Sequence, residues 1–232
     1  MSQERDLEDL DERELNELGN AYSAHGMWDE AIDSYLRSLA KRKSSDDVRG
    51  QGIVLNNLGA VYYRQGRVSD ASECYEASRH IAHGQGEELT ELVALMNLVF
   101  LRFAEGEHEA FRLRAEEAER LASTLEKWEP LSKLSWLRGR LALDEPDSFQ
   151  DGLRYYAEAL GHAAREGETE LEEMLRRADA QAEQLLEQGS RGLALVLYDY
   201  LQLFARQEGF SKGVLTHLSR KREEILRRPS LA

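Results

Sequence analysis

Cysteine and long apolar segments are nearly absent from this sequence of 232 residues. The one cysteine, Cys74, excludes an intramolecular disulfide and, without further thiolate ligands, argues against redox chemistry and a structural zinc site. No apolar run approaches the roughly 20 residues that a helix needs to cross a bilayer. The first fifteen residues, MSQERDLEDLDEREL, are acidic where a secretory signal peptide is basic and then apolar. We therefore expect a soluble, cytoplasmic protein.

Positive charge is outweighed by negative charge, since 30 Lys and Arg stand against 44 Asp and Glu and the formal net charge is −14 at pH 7. Phosphate groups repel a negatively charged surface, so this balance argues against nucleic acid and anionic membranes as ligands. It favours a neutral or basic protein or peptide as partner. The charge is uneven, because the start of the chain is acidic and the end carries Arg220, Lys221, Arg222, Arg227 and Arg228. We interpret such runs as solvent-facing helix ends.

The sequence has no recognisable catalytic or metal-binding constellation. No glycine-rich phosphate loop follows a predicted strand. His80 and His83, with Cys74 upstream, lack a fourth metal ligand at a recognised spacing. Adjacent carboxylates such as Glu116 and Glu117 diverge by about 100° on a helix and cannot act as a pair. We therefore expect no catalytic residues, no metal and no cofactor, and a protein that is not an enzyme.

What the sequence does contain is an internal repeat. Residues 55–75, LNNLGAVYYRQGRVSDASECY, share their skeleton with residues 15–35, LNELGNAYSAHGMWDEAIDSY. Gly26, Gly66 and Gly106 recur at an interval of 40, as do Leu18, Leu58 and Leu98. Each glycine lies between two runs with helical spacing of apolar residues, where a turn needs a residue that accepts positive φ. The repeating unit is therefore predicted to be a helical hairpin.

Small and large residues alternate across each predicted hairpin. Gly19 with Ala31, and Gly59 with Ala71, allow two helices to approach closely, while tyrosines fill the wider parts at Tyr22, Tyr35, Tyr62 and Tyr75. This pattern resembles the tetratricopeptide repeat family. The resemblance implies an all-α fold, a right-handed superhelical solenoid of antiparallel helical hairpins. The third copy departs from it with Val99, Arg102 and Phe111, and we expect the Arg102 guanidinium to reach a carboxylate or solvent.

The repeat predicts about eleven helices and no β-sheet. Five hairpins are expected at roughly 9–45, 48–86, 87–127, 129–167 and 168–209. The fourth has a longer turn, from Asp144 to Ser148, that contains Pro146. A last amphipathic helix within residues 211–232 is expected to cover the fifth hairpin with Val214, Leu215, Leu218, Ile225 and Leu226, and to end at Pro229.

The 40-residue period exceeds the common period of about 34, and we expect the extra residues to lengthen the second helix of each hairpin and the link that follows it. The period and the phrase LNNLG are similar to the repeats of kinesin light chains and related bacterial signalling proteins. That resemblance implies that Asn57 and Asn97 hydrogen-bond the backbone of a bound peptide in a concave groove. Glu17 and Trp136 are assigned to the equivalent positions. The alternative is that both asparagines brace the neighbouring hairpin.

Helical spacing places further residues on the same predicted groove. They are Asn16 and Asn20 in the first hairpin, Tyr63 and Arg64 with Asn56 in the second, and Phe100 and Phe103 with Met96 in the third. The aromatic patch serves either as a ligand pocket or as buried packing. Glu17 suggests that the ligand is basic over the first hairpin.

The function predicted from these features is protein–protein interaction, as an adaptor, assembly or signalling scaffold that holds an extended partner segment. The alternatives are a peptide-responsive regulator, a phosphatase-type enzyme or a secretion-type chaperone. A homo-oligomer is also possible.

Overall fold

A computed structural model describes residues 8–143 and 148–228 of the chain. Eleven α-helices and no β-strand are present in these ranges, which confirms the predicted all-α, tetratricopeptide-like class and the number of helices. The helices are α1 (Glu12–Ala24), α2 (Trp28–Ser44), α3 (Val48–Arg64), α4 (Val68–Gln85), α5 (Glu88–Ala104), α6 (His108–Thr124), α7 (Trp128–Leu143), α8 (Phe149–Glu166), α9 (Glu168–Glu187), α10 (Arg191–Gln207) and α11 (Lys212–Arg227). The predicted turn through Pro146 and the stop at Pro229 lie outside the described residues.

The chain divides into two compact units, residues 1–121 and residues 122–232. We refer to them as the first and second unit. In the first unit α1 packs on α2 and α3 on α4; in the second, α7 packs on α8 and α9 on α10. No helix in the described ranges has the length and apolar character needed to cross a membrane.

The turns are more regular than the glycines alone indicate. Gly26, Gly66 and Gly106 have positive φ of 75°, 75° and 70°, as predicted. Asp46 and Glu126 have φ of 55° and 53° at intermediate positions, where Gly86 also lies, so a left-handed residue recurs every 20 residues. The expected longer second helix is found in the first hairpin, where α1 has 13 residues and α2 has 17. In the second hairpin α3 has 17 residues and α4 has 18, so the two helices share the 40-residue period almost equally there.

Each glycine that was predicted to permit close approach faces a tyrosine ring. A Cβ atom added to Gly19 would lie 2.6 Å from Tyr35, and one added to Gly59 would lie 2.8 Å from Tyr75. Because such distances are too short for carbon atoms, only glycine fits opposite these rings. In the third copy the sizes are exchanged: Val99 and Ala115 occupy the two positions, and both are buried. Volume is conserved across the pair even where the residues are not.

The same contact corrects the register of the fourth hairpin. A Cβ atom on Gly139 would lie 2.6 Å from Tyr156, so Gly139 is the counterpart of Gly59. The residue two positions earlier, Leu137, is therefore the counterpart of Asn57. The assignment of Trp136 to that position is wrong by one residue, since Leu137 lies 40 residues after Asn97.

Arg102 has the polar partners that were predicted for it. Its Nη2 donates to Ser72 Oγ at 2.6 Å, and its Nη1 donates to Glu107 Oε2 at 3.0 Å. These bonds join α5 to α4 and to the turn before α6. The guanidinium thus replaces the aromatic ring of Tyr22 and Tyr62 without leaving a charge unpaired.

In the second unit α11 packs on α10 and covers part of the core. Val214, Leu218 and Ile225 are buried, as predicted, and Ser211 caps the helix by accepting from the backbone N–H of Val214. Leu226 was expected in this set but is 47% exposed. It falls on the solvent side because it directly follows the buried Ile225 and therefore points about 100° away around the helix.

Polar contacts also hold α11. Asp179 on α9 accepts a hydrogen bond from Tyr198 at 2.6 Å and lies 3.2 Å from His217 Nε2. Lys221 Nζ is 3.6 Å from the same carboxylate. Arg228 donates two hydrogen bonds to Glu183, which lower the pKa of that carboxyl group. The last helix is therefore attached through both apolar and ionic contacts.

Candidate functional site

Five asparagines connect α1, α3 and α5, the first helices of the three hairpins in the first unit. Asn57 Nδ2 on α3 donates to Asn16 Oδ1 at 3.2 Å and to Asn20 Oδ1 at 3.3 Å, both on α1. Asn97 Nδ2 on α5 donates to Asn56 Oδ1 on α3 at 2.8 Å. The bonds from Asn57 to Asn16 and from Asn97 to Asn56 each span 41 residues, one repeat plus one position. We call these five residues the asparagine strip.

The strip bears directly on the two interpretations of Asn57 and Asn97. Both side chains brace the preceding hairpin, as the alternative proposed. Bracing uses only part of each carboxamide, which has two donor hydrogens and an acceptor oxygen. Among the described residues, nothing donates to the Oδ1 atoms of Asn57 and Asn97. The Nδ2 groups of Asn16 and Asn56 also make no hydrogen bond there, so the strip offers both donors and acceptors at its surface.

An apolar cleft lies beside the strip, between α3 and α5. It has a volume of about 240 Å³ and is lined by Ile53, Asn56, Leu89, Thr90 and Val93. Ile53, Leu89 and Val93 are 40%, 56% and 50% exposed, which is unusual for a cluster of large aliphatic residues. Asn56 belongs to both the strip and the cleft, so the two surfaces are continuous.

Ile53, Leu89 and Val93 were not predicted from the sequence. The sequence does contain a pattern that could have identified two of them, because Ile53 and Val93 lie 40 residues apart at equivalent positions of the repeat. Neither is on the face that α3 and α5 use for the core. Apolar residues that recur on a non-packing face indicate a binding surface.

Three other predicted residues lie outside the strip. The Glu17 carboxylate is 3.0 Å from Arg13 Nε, so its negative charge is partly compensated. The Arg64 guanidinium lies 5.5 Å from the centre of the Trp28 ring. Tyr63 is 40% exposed. Glu17 and Arg64 are thus oriented by neighbours rather than by the asparagines.

The aromatic patch on α5 is divided. The Phe103 ring packs edge-to-face on Phe111, with centroids 5.5 Å apart and an interplanar angle of 63°. Phe111 and Met96 are buried. Phe103 therefore packs against the buried Phe111, and both Phe103 and Phe100 are half-buried.

The titratable groups singled out from the sequence have ordinary structural environments. Burial raises the pKa of the Cys74 thiol to about 11, so it is protonated at neutral pH and is a poor nucleophile. His83 Nδ1 lies 3.1 Å from Glu91. Within the described ranges, no group of three or more His, Cys, Asp or Glu side chains is arranged to hold a metal ion.

Comparison with known families gives one match on this part of the chain. The family model of the tetratricopeptide repeat matches residues 13–83, which correspond to α1 through α4. These residues contain four of the five asparagines of the strip. No curated protein sequence matches the chain.

Proposed function

We propose that the first unit binds an extended segment of another protein. Residues 13–83 of this unit match the tetratricopeptide repeat, and such repeats generally mediate protein–protein interaction. The asparagine strip holds the backbone of that segment, and the apolar cleft receives one of its side chains. The role is that of an adaptor or scaffold, and binding requires no catalytic group.

The observation that carries this proposal is the unused hydrogen-bonding capacity of the strip next to an open apolar cleft. An extended peptide has backbone N–H and C=O groups that need partners. Free Nδ2 and Oδ1 groups suit both, because a carboxamide donates and accepts. The cleft supplies the apolar anchor that hydrogen bonds alone lack, since solvent competes for exposed hydrogen bonds.

Charge limits the kind of segment that fits. Residues 1–121 contain 25 acidic residues against 14 Lys and Arg. A negatively charged unit repels acidic peptides and attracts basic ones. The proposed ligand therefore carries an aliphatic or aromatic anchor in a neutral or basic sequence.

The test is selection of binding peptides from a random phage-displayed library, followed by affinity measurements with cleft variants. Val93→Asp places a charge in the cleft and should weaken the selected peptides by about tenfold or more, because a carboxylate there opposes apolar burial. Leu113→Asp is the matched control, since Leu113 is equally exposed on α6 but does not line the cleft. Equal affinity for the two variants would place binding elsewhere.

The double variant Asn57→Ala with Asn97→Ala tests the strip. Peptide binding should weaken by roughly 1–3 kcal/mol, the cost of unpaired polar groups in the complex. Urea unfolding of the same variant reports the lost bracing separately. A protein that is less stable yet binds the selected peptides at full affinity would restrict the strip to bracing.

A further inference from the structure

An exposed apolar stripe runs along α10 in the second unit. It consists of Leu193, Val196, Tyr200 and Leu203, and we call it the α10 stripe. Leu193, Val196 and Leu203 are 39%, 41% and 55% exposed, and Tyr200 is half-buried. Large apolar side chains grouped on one exposed face mark an interaction surface.

The stripe lies opposite the face by which α10 enters the core. Its members stand five and two positions before Tyr198 and two and five positions after it, and Tyr198 is 2% exposed. Since successive residues turn by about 100° around a helix, all four members lie within about 40° of the direction opposite to Tyr198. The α10 stripe is therefore a separate apolar surface and not an edge of the core.

The same positions are charged in other hairpins. Tyr35 on α2, Tyr75 on α4 and Tyr156 on α8 are the buried counterparts of Tyr198. The residues five and two positions before them, which correspond to Leu193 and Val196, are Glu30 and Asp33, Asp70 and Glu73, and Asp151 and Arg154. The repeat thus does not require apolar residues at these positions, so their presence in α10 points to a role of this helix alone.

The spacing of the stripe indicates what covers it. Intervals of three, four and three residues are those of the a and d positions of a heptad, by which two helices pack along a narrow seam. This series of intervals is the same in both chain directions. An antiparallel second copy of α10 therefore places its Leu203 on Leu193, and its Tyr200 on Val196.

Side-chain size favours this antiparallel orientation. It sets the small Val196 against the large Tyr200 twice, whereas a parallel pair sets tyrosine against tyrosine and valine against valine. Large residues facing small ones fill a seam evenly. A two-fold axis between the copies makes each of these contacts occur twice, as in most protein dimers.

The charges beside the stripe are compatible with a second copy. Asp199 borders the stripe on the side of α11, where Arg222 donates to both of its carboxylate oxygens. The two-fold axis brings the two Asp199–Arg222 pairs together, so that each carboxylate is also attracted by the guanidinium group of the other copy. Residues 191–228 contain 8 basic and 4 acidic residues, so the excess negative charge of the chain does not lie at this surface.

The surface is large enough for a reversible dimer. α10 and α11 have 17 and 16 residues and lie side by side, so their joint face measures roughly 25 by 20 Å. Stable interfaces bury roughly 800 Å² of each partner, and smaller ones belong to weaker complexes. A dissociation constant in the micromolar range is therefore expected.

We propose that the α10 stripe is a homodimer interface, in which α10 of one copy packs antiparallel on α10 of a second copy. The two-fold axis crosses the helices at the level of Tyr198. This surface is separate from the peptide site proposed in the first unit, and the two proposals do not depend on each other.

Sedimentation velocity of the full chain tests the proposal, and dimers should appear as the concentration rises from about 1 to 200 μM. Leu203→Asp should raise the dissociation constant about 100-fold or more, because the two-fold axis places two carboxylates in one apolar seam. Leu113→Asp on α6 is the matched control. Leu113 is also 55% exposed, but Glu117 and Arg120 follow it on the same helix face, so it belongs to no stripe.

Disulfide cross-linking tests the orientation, in a Cys74→Ser background that removes the native thiol group. Leu193→Cys together with Leu203→Cys should give covalent dimers on oxidation, because the two positions face each other across the seam. Leu193→Cys alone should not, since the two copies of that position lie about 15 Å apart along the seam, beyond the reach of a disulfide. The same distance prevents a disulfide between the two positions within one chain.

Three outcomes would overturn the proposal. They are a chain that stays monomeric over the whole concentration range, equal effects of Leu203→Asp and Leu113→Asp, or cross-linking by Leu193→Cys alone. The first would mean that a different protein covers the stripe. Val93→Asp should leave dimerisation unchanged, and Leu203→Asp should leave the affinity for soluble selected peptides unchanged. Failure here and failure of the proposed function are therefore distinguishable.

Discussion

In the first unit, α1 and α3 are joined by neutral amide groups. In the second unit, α9 and α11 are joined by ionisable groups. In the first unit Asn57 donates to Asn16, across 41 residues. In the second, His217 of α11 meets Asp179 of α9, across 38 residues. Asp179 lies ten positions before Gly189, as Asn16 lies before Gly26, so the two links use the same repeat position. The repeat determines where a link forms, and the residue type determines its chemistry.

The candidate clefts differ in the same way. The cleft of the first unit, between α3 and α5, is aliphatic and bordered by amides. The cleft of the second unit, between α7 and α9, is lined by arginines, glutamines and a tryptophan. Residues 122–232 carry 16 basic residues against 19 acidic, a much smaller excess than in residues 1–121. The exposed clefts of the two units therefore differ in their chemistry.

The largest effect is expected where α11 closes the second unit. Leu218→Ala should lower the free energy of unfolding by about 4 kcal/mol, because Leu218 is fully buried and its truncation leaves a cavity. Leu226→Ala on the same helix should change it by less than about 0.5 kcal/mol, since that side chain is largely exposed. Urea denaturation measures both. Similar losses for the two variants would mean that α11 does not cover the core in the way described.

The next largest effect concerns the close glycine–tyrosine contact that both units use. Gly59→Leu should cost about 3 kcal/mol, because even its Cβ meets the Tyr75 ring. Gly192→Leu is the control, since a Cβ there meets nothing within 4 Å. Thermal unfolding that is unchanged by Gly59→Leu would show that the hairpin can open at no cost.

Removing a tyrosine hydroxyl group compares the stability contributed by a hydrogen bond to a neutral amide with that contributed by a hydrogen bond to a carboxylate. Tyr35 donates to Asn20 at 2.7 Å and Tyr198 donates to Asp179 at 2.6 Å. Burial raises the pKa of Tyr35 to about 12, and burial together with Asp179 raises that of Tyr198, so both are protonated donors at neutral pH. Tyr198→Phe should cost about 2 kcal/mol and Tyr35→Phe about 1 kcal/mol, because a hydrogen bond to a charged acceptor is stronger.

Chemical denaturation of the two phenylalanine variants should therefore rank them in that order. Added salt should narrow the difference, since it screens the Asp179 charge but not the Asn20 amide. A larger loss from Tyr35→Phe would reverse the comparison between the units.

The smallest effect is a gain in stability at a turn. Glu126 has a φ of 53°, which glycine adopts without strain. Relief of left-handed strain is worth about 1–2 kcal/mol and the entropy cost of glycine is about 0.5–1 kcal/mol, so Glu126→Gly should stabilise the protein by about 0.5–1 kcal/mol. Gly106→Glu is the inverse control at an equivalent turn and should destabilise. Differential scanning calorimetry is sensitive enough to show both, and a loss with Glu126→Gly would contradict the strain argument.

Part of the candidate site could be predicted from the sequence, and part could not. Asn57 and Asn97 were found because they occupy one phase of a visible repeat, and the structure brings them to Asn16, Asn20 and Asn56. The sequence could not distinguish bracing of the neighbouring hairpin from peptide binding, because one carboxamide can do both. Phe103 was ambiguous for a similar reason, since an aromatic residue at helical spacing suits a pocket or a core equally.

The sequence by itself determined the helical hairpin, the positions of most turns and the small–large pairing of core residues. These depend on local backbone preference and on a period that is written into the chain. Only the tertiary structure decided which amides pair across repeats, and that Ile53, Leu89 and Val93 line an exposed apolar cleft. Such contacts join residues about 40 positions apart, and their geometry depends on how side chains of adjacent helices pack, which no local pattern specifies.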